Sequence, residues 1–577
     1  MSAAGISAAG GSGWVWVPPS DEAEERQVEA RVSALVEARF AERLWSRDVT
    51  LWSRDRPAQA NIAESLGWLR VPEAMLARVD DLTAFADSVR PPAFEDVVLL
   101  GMGGSSLAPE VYMKTYFSPD SSSGAAGLPL IVLDSTHPDH VAAVTANLAD
   151  LAKTLFLVSS KSGSTIEMLS LYKHFYGLAS QVKENPGENF VAITDPGSGL
   201  EKLAKEKSFR RVFNANPEVG GRYSALTHFG LVPAALVGVD LPRLLRRART
   251  MANACRNHAL LNPGLQLGAA MGELALAGRD KITFFVSPKI AAFGAWVEQL
   301  IAESLGKQGL GILPVVDEAI TEPIFYNNDR LFVYIRLAGD DNAELDGKVE
   351  VLEAAGHPVI WIQTDEPEDL GQEFFRWEMA TAAAGAVLKV NPFDQPNVES
   401  AKVKARELMA QFEQSGVLPV ETPTLDYDDI DAYGPAMGET VTEALQAFLT
   451  AFRPGDYIAI MAYLPYEAGI DAALNELRLR LRNRLRAATT VGYGPRFLHS
   501  TGQLHKGDGN KGLFIQLTHT PATDVAIPGE KYTFATLVAA QAQGDYNALK
   551  ENNRRLLRFH IEKGQDLAQA IRKLIPA

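Results

Sequence analysis

The chain has 577 residues, 46% hydrophobic and 22% charged, with a net charge of −16, the make-up of a globular protein of about three domains rather than one core. It offers no run of eighteen apolar residues to span a membrane, its single cysteine, Cys255, excludes an internal disulfide framework, and its negative balance argues against general nucleic-acid binding. An anionic small molecule is not excluded, because local donors rather than net charge hold a phosphate.

Residues 1–13 are small and uncharged without the apolar core of a secretory signal, and residues 1–20 are expected to form a disordered tail. Residues 22–88 read as helices with polar and charged faces. From residue 96 to about 238, apolar strands at 97–100, 130–133, 154–158, 190–194 and 211–213 alternate with helical patterns. That rhythm is an α/β domain with a doubly wound parallel sheet, and with the helical segment it makes a first unit, 21–250.

A second α/β unit is expected at 251–415, with strands at 282–286, 331–335, 358–362 and 386–390 and helices at 291–305 and 370–384. Residues 416–440, rich in Pro, Asp, Thr and Tyr, read as a linker. The third unit, 441–577, is expected to hold strands at 457–463 and 512–518, helices at 472–487 and 533–544, and a final helix. Residues 329–337 and 455–464 share one apolar pattern, which suggests that the second and third units are related. The arginine-rich face of 477–486 reads as a solvated face or an ion-pair lattice rather than a nucleic-acid surface.

Two stretches of the first unit carry chemistry. Gly101-Met-Gly-Gly-Ser-Ser106 follows a strand and opens a helix, so its backbone N–H groups and hydroxyls would face an anion, although a tight turn explains the glycines equally well. It fails the dinucleotide pattern, lacking the third glycine and the later acidic residue. Ser160-Lys-Ser-Gly-Ser-Thr165 is stronger. Four hydroxyls and a lysine within six residues at a helix N-terminus describe a phosphate monoester site.

These motifs resemble the glucose-6-phosphate isomerases, within the sugar-isomerase (SIS) domain group. Gly101-Met-Gly-Gly-Ser-Ser106, Ser160-Lys-Ser-Gly-Ser-Thr-Ile-Glu167, Val219-Gly-Gly-Arg-Tyr-Ser224, Ala302-Glu-Ser-Leu-Gly-Lys307 and Phe393-Asp-Gln-Pro-Asn-Val-Glu-Ser-Ala-Lys402 are similar to five family signatures and stand in family order. Asn397 replaces a family glycine, which asparagine could mimic in a left-handed conformation. The nearest resemblance is to the isomerase half of bacterial transaldolase/phosphoglucose-isomerase fusions. The transaldolase barrel is absent, so transaldolase is expected on a separate chain.

The resemblance implies two SIS domains, each a flavodoxin-like three-layer αβα sandwich, plus a third α/β C-terminal domain. It implies interconversion of glucose 6-phosphate and fructose 6-phosphate through an enediol(ate), with no cofactor and no metal. The phosphate would lie on Gly103, Gly104, Ser105, Ser160, Lys161, Ser162, Ser164 and Thr165. Arg222 would sit beside the enediolate, and Gln395 and Lys402, seven apart, would share one face if that stretch is helical. Glu167 and Gln503 are further substrate-site candidates.

The base and the ring-opening acid are less fixed. Glu303, Glu322 and His505 are candidate bases, Glu303 first, although Glu303 could simply pair with Lys307 at i,i+4. His357 reads as structural. A His-Ser-x-Gly-Gln element expected in the short interval before Phe393 is found instead at His499–Gln503, so His499 or His505 would be the acid, supplied by the third unit. A phosphosugar sensor without catalysis and a dual phosphoglucose/phosphomannose isomerase are the alternatives, whereas an aminosugar synthase lacks its N-terminal cysteine. A cytoplasmic enzyme is expected, with no nucleic-acid or membrane partner and with homo-oligomerisation left open.

Overall fold

The computed structural model describes residues 14–18, 22–117, 127–435 and 437–576. It is an α/β protein built on three sheets. The first sheet holds β2 (Asp96–Leu100), β3 (Leu130–Leu133), β4 (Thr154–Ser159), β5 (Phe190–Thr194) and β6 (Arg211–Asn214) in the order β3-β2-β4-β5-β6, all parallel. Every residue of β4 and β5 is buried, the outcome for a parallel strand covered by helices on both faces.

The second sheet, from β7 (Lys281–Val286), β8 (Leu313–Val315), β9 (Arg330–Leu337) and β10 (Val359–Thr364), runs β8-β7-β9-β10. The third, from β13 (Tyr457–Tyr463), β14 (Ala488–Tyr493), β15 (Gly512–His519) and β16 (Arg555–Ile561), runs β14-β13-β15-β16. All three sheets therefore repeat one order, in which the first strand of a unit lies between its second and third and the fourth follows the third. This extends the pattern seen in the second and third units to the first. Each sheet reverses direction beside its first strand, and ligands bind such sheets in the crevice beyond the carboxyl ends at that point. In the first sheet that point lies between β2 and β4, the two strands that lead into the glycine and serine loops.

Several expectations need correction. β1 (Trp14–Val17), inside the stretch expected to be a tail, pairs antiparallel with β10 and closes the second sheet; residues 1–13 and 19–21 lie outside the described residues. Residues 386–390 are not a strand. The helix Leu370–Leu388 takes up 386–388 and ends at Lys389, whose backbone is left-handed, because a short apolar run suits a buried helix as well as a strand. The expected linker contains a hairpin, β11 (Leu425–Tyr427) and β12 (Ile430–Tyr433), whose second strand pairs with β16. Only Ile430 and Ala432 of β12 point inward, too brief an alternation to register among polar neighbours.

The arginine-rich helix Ala468–Leu485 is not simply solvated. Arg478 and Arg482 are buried, and their guanidiniums donate to the carbonyls of Val316, Asp317 and Ala319 at 2.6–2.9 Å, tying the third unit to the end of β8. The third unit also packs on the first. Phe534 and Leu537 share a core with Phe156 and Phe175. Among the described residues no helix is long and apolar enough to cross a membrane.

Candidate functional site

The glycine loop after β2 is shaped by close packing. Gly103 has φ +54°, and a Cβ there would stand 2.9 Å from the His499 carbonyl oxygen. A Cβ on Gly104 would lie 2.1 Å from the carbonyl oxygen of Gly221, so the first and third motifs meet backbone to backbone. Ser105 ends a single turn ahead of the helix Leu107–Tyr116, whose N-terminus no side chain caps. Its first-turn N–H groups and the positive end of its dipole stay directed at the crevice.

Across the crevice, the serine loop joins β4 to the helix Ile166–Val182, again without a side-chain cap. Ser160 Oγ accepts from Gly163 N at 3.1 Å and lies 3.1 Å from Thr165 Oγ1, while Ser162 and Ser164 hydroxyls meet at 2.9 Å. Gly163 needs its φ of +70°, and a side chain there would strike the backbone of Leu200. Lys161 departs from expectation. Its ammonium pairs with Asp195 and donates to the Pro217 carbonyl, away from the hydroxyls.

Arg222 is buried, and its guanidinium makes four hydrogen bonds and one ion pair. Nε donates to Ser304 Oγ at 2.7 Å, Nη2 to the carbonyls of Pro392 and Asp394, and Nη1 to Gln395 Oε1 at 3.0 Å, while Nη1 also forms an ion pair with Glu303 Oε1 at 3.1 Å. Glu303 therefore pairs with Arg222 rather than Lys307. Lys307 is buried against Asn391 and Asp394, and burial, with Arg222 nearby, lowers its pKa to about 8. Gln395 lies on the turn before the helix Val398–Ser415, which carries Lys402, so the two do not share a helical face. Asn397 has φ −90° and starts that helix conventionally, not in a left-handed conformation.

The third unit enters the crevice at the turn Arg496–His499. His499 Nε2 lies 2.9 Å from Glu167 Oε1. Burial pushes the Glu167 carboxyl up, but the charge and hydrogen bond of His499, with the charge of Lys402, outweigh it and keep the net pKa low. Gln299 Nε2 donates to Glu303 Oε2 at 3.1 Å and to the His499 carbonyl at 2.7 Å. One amide thus connects the leading candidate base to the loop that bears the leading acid.

Other candidates fall away from this centre. His505 is buried among Tyr457, Phe497 and Phe514, neither ring nitrogen has a hydrogen-bond partner, and burial drives its pKa far down. Gln503 is a cross-brace, accepting from Asn397 N at 2.8 Å and donating to the Gly306 carbonyl at 2.9 Å. Glu322 is exposed on its loop. His357 packs on Phe332, as a structural histidine should. Sequence reasoning missed Gln299 and Gln541, which donates to Glu167 Oε1 at 2.8 Å. The i,i+4 spacing of Gln299 and Glu303 could have flagged the first.

The phosphoglucose isomerase family model matches residues 72–326, a span that holds both anion loops, Arg222 and Glu303, while Gln395, Lys402 and His499 follow it. A probable glucose-6-phosphate isomerase of Methanococcus maripaludis is 28% identical over 352 residues, 55% of this chain and 79% of its own. The glucose-6-phosphate isomerase of Rubrobacter xylanophilus is 27% identical over 379 residues, 58% of this chain and 87% of its own. Among solved structures, a hypothetical protein from Thermus thermophilus is similar at TM-score 0.56 and 27% identity, over 67% of this chain and 96% of that one. A glucose-6-phosphate isomerase from Chlamydia trachomatis shares the fold at TM-score 0.54 and 19% identity, over 70% of this chain and 89% of its own.

Proposed function

We propose that this chain, whose residues 72–326 match the phosphoglucose isomerase family model, interconverts glucose 6-phosphate and fructose 6-phosphate as a member of that family, and from that premise we assign the residues that move the proton between C1 and C2. The observation that carries the proposal is the convergence of Glu303 and His499 on Gln299 beside the two anion loops. A sensor needs only the loops, and nothing in the site calls for one.

The phosphate sits on the hydroxyls of Ser160, Ser162, Ser164 and Thr165 and on the open N-termini of the two helices, with Gly103, Gly104 and Ser105 forming the opposite wall. Lys161, committed to Asp195, lends the loop rigidity rather than a ligand. His499 opens the sugar ring. Its Nε2–H is donated to the Glu167 carboxylate, which leaves Nδ1 to take the proton of the C1 hydroxyl and hand it to the ring oxygen as the C1–O bond breaks, and the carboxylate stabilises the imidazolium formed on the way. Lys402, whose charge is felt at Glu167, adds positive potential there.

Glu303 then takes the proton from C2 of the open aldose and returns it to C1, while the hydroxyl proton passes from O2 to O1 of the cis-enediolate formed between the two steps. A single carboxylate serves both carbons because they are neighbours. Arg222 fixes Glu303 and Gln395 and supplies positive potential beside the enediolate. The single cysteine, buried at Cys255, suits a cytoplasmic setting.

The test is a coupled assay with purified protein, in which glucose 6-phosphate formed from fructose 6-phosphate is read through its dehydrogenase. Glu303→Gln should lower kcat by about 10²–10⁴-fold with a folded protein. Turnover within threefold of the parent would remove Glu303 as the base.

A further inference from the structure

We infer that Gln541 is a positioning residue for the reaction, fixing the Glu167–His499 pair and with it the nitrogen that His499 offers to substrate. The inference rests on the reading of His499 as the ring-opening group. It adds a residue that no motif contains, on the third unit's helix Phe534–Glu551.

Three hydrogen bonds form one buried chain. Thr136 Oγ1, just beyond the carboxyl end of β3, donates to Gln541 Oε1 at 2.7 Å. Gln541 Nε2 donates to Glu167 Oε1 at 2.8 Å, and His499 Nε2 reaches the same oxygen at 2.9 Å. Thr136, Gln541 and Glu167 are 0%, 4% and 5% exposed, so water cannot substitute freely. The direction of the chain follows from charge. An ionised carboxylate accepts only, so the NH₂ end of the Gln541 amide must face it. The amide oxygen then faces Thr136, whose hydroxyl has a donor for it.

Because Gln541 and His499 share one oxygen, each changes what the other feels. With Gln541 in place, the carboxylate is held in one rotamer and part of its charge is satisfied elsewhere. Glu167 therefore accepts from Nε2–H, and Nδ1 is left for the sugar. Without Gln541 the carboxylate can turn, and its charge falls more fully on His499. The imidazolium then holds its proton more tightly. The other titratable groups coupled to this pair include Lys402, from the helix Val398–Ser415, Asp134, beyond β3, which feels the charge of His499, and Tyr463 on β13, which feels the charge of Glu167 and whose burial keeps it neutral. All of these remain in a Gln541 variant, so their effect is constant across the comparison. The third unit thus supplies both the histidine and the residue that sets its partner.

The experiment uses the full chain and compares Gln541→Leu, Gln541→Glu, Thr136→Val and His499→Ala for kcat, KM and the pH profile of kcat between pH 6 and 9. Gln541→Leu is expected to lower kcat by about 10-fold or more with little change in KM, and to move the histidine limb of the profile to higher pH. Gln541→Glu can donate to Glu167 only while its own carboxyl is protonated, since two touching carboxylates do not both ionise. Its activity should therefore be relatively preserved at low pH and fall as pH rises, a signature that a packing role would not produce. Thr136→Val, which removes the donor that orients the amide, should shift the profile in the same direction by less, and it decides the matter if Gln541→Leu fails to fold. A folded Gln541→Leu protein, or failing that a Thr136→Val protein, with parental kcat and profile overturns the inference if His499→Ala is inactive. An active His499→Ala protein instead overturns the reading beneath it.

Discussion

Arg222→Lys separates a residue that merely carries charge from one whose geometry is used. The guanidinium holds five partners at 2.7–3.1 Å, four by hydrogen bonds and Glu303 by an ion pair, spread from Ser304 on one side to Pro392 and Asp394 on the other, with Glu303 and Gln395 between. An ammonium has three N–H groups at one point and cannot span them. At least two contacts are lost, each worth ~1.5–3 kcal/mol for a charged donor, so ~3–6 kcal/mol of interaction disappears before any water replaces it. Part of that loss falls on the fold, through Ser304 and the two carbonyls, and lowers the melting temperature. The rest falls on the placement of Glu303, and kcat should drop about 10²-fold, or ~2.7 kcal/mol of transition-state stabilisation. KM for fructose 6-phosphate should change less than about fivefold, because the phosphate loops are untouched. The coupled assay with a thermal melt reads both. A kcat within threefold of the parent would refute the reasoning, and a loss confined to KM would make Arg222 a substrate anchor.

Ser162→Ala combined with Thr165→Ala should raise KM strongly, by ~2–4 kcal/mol of hydrogen bonding to a charged group; an unchanged KM in the steady-state assay would move the phosphate elsewhere. Gly104→Ala drives a Cβ to within 2.1 Å of the Gly221 carbonyl oxygen, so the melt should show destabilisation of about 1–3 kcal/mol with reduced turnover. A Cβ on Gly221 itself would meet nothing within 4 Å, and Gly221→Ala should leave the melting temperature nearly unchanged. His505→Leu should retain turnover at pH 7.5, and it tests a pH linkage. The parent keeps His505 neutral when folded, whereas the unfolded chain protonates it below a pKa of about 6.5. The parent therefore loses stability as pH falls below about 6.5, by up to ~1.4 kcal/mol per pH unit. Denaturant titrations at pH 7.5 and 5.5 should show the variant gaining on the parent at the lower pH; a constant difference would contradict the assignment.

The first sheet and its two loops were legible because parallel strands buried on both faces are continuous apolar runs, and residues 97–100 and 154–158 end abruptly in glycine and serine. The helix through 386–388 was misread since alanine and valine suit either element once buried. The choice between His499 and His505 was not in the sequence at all. Both lie in the connection between β14 and β15, and only the fold puts one, at the end of a turn, against Glu167 and the other, on the short helix Gly502–Gly507, among aromatic rings. Arg222 was found by its motif, but that Nη2 is already committed depends on carbonyls 170 and 172 residues away. Gln299 and Gln541 are neutral amides, which carry no charge pattern, and their importance comes from what they touch.

The central claim, proton transfer through an enediolate, is tested most directly by converting fructose 6-phosphate to glucose 6-phosphate in D₂O and following the product by NMR. The account predicts solvent deuterium at C2 of the glucose 6-phosphate, at a level that rises with repeated turnover, and loss of both product and label in Glu303→Gln. No conversion, or product formed without deuterium at C2, would contradict it.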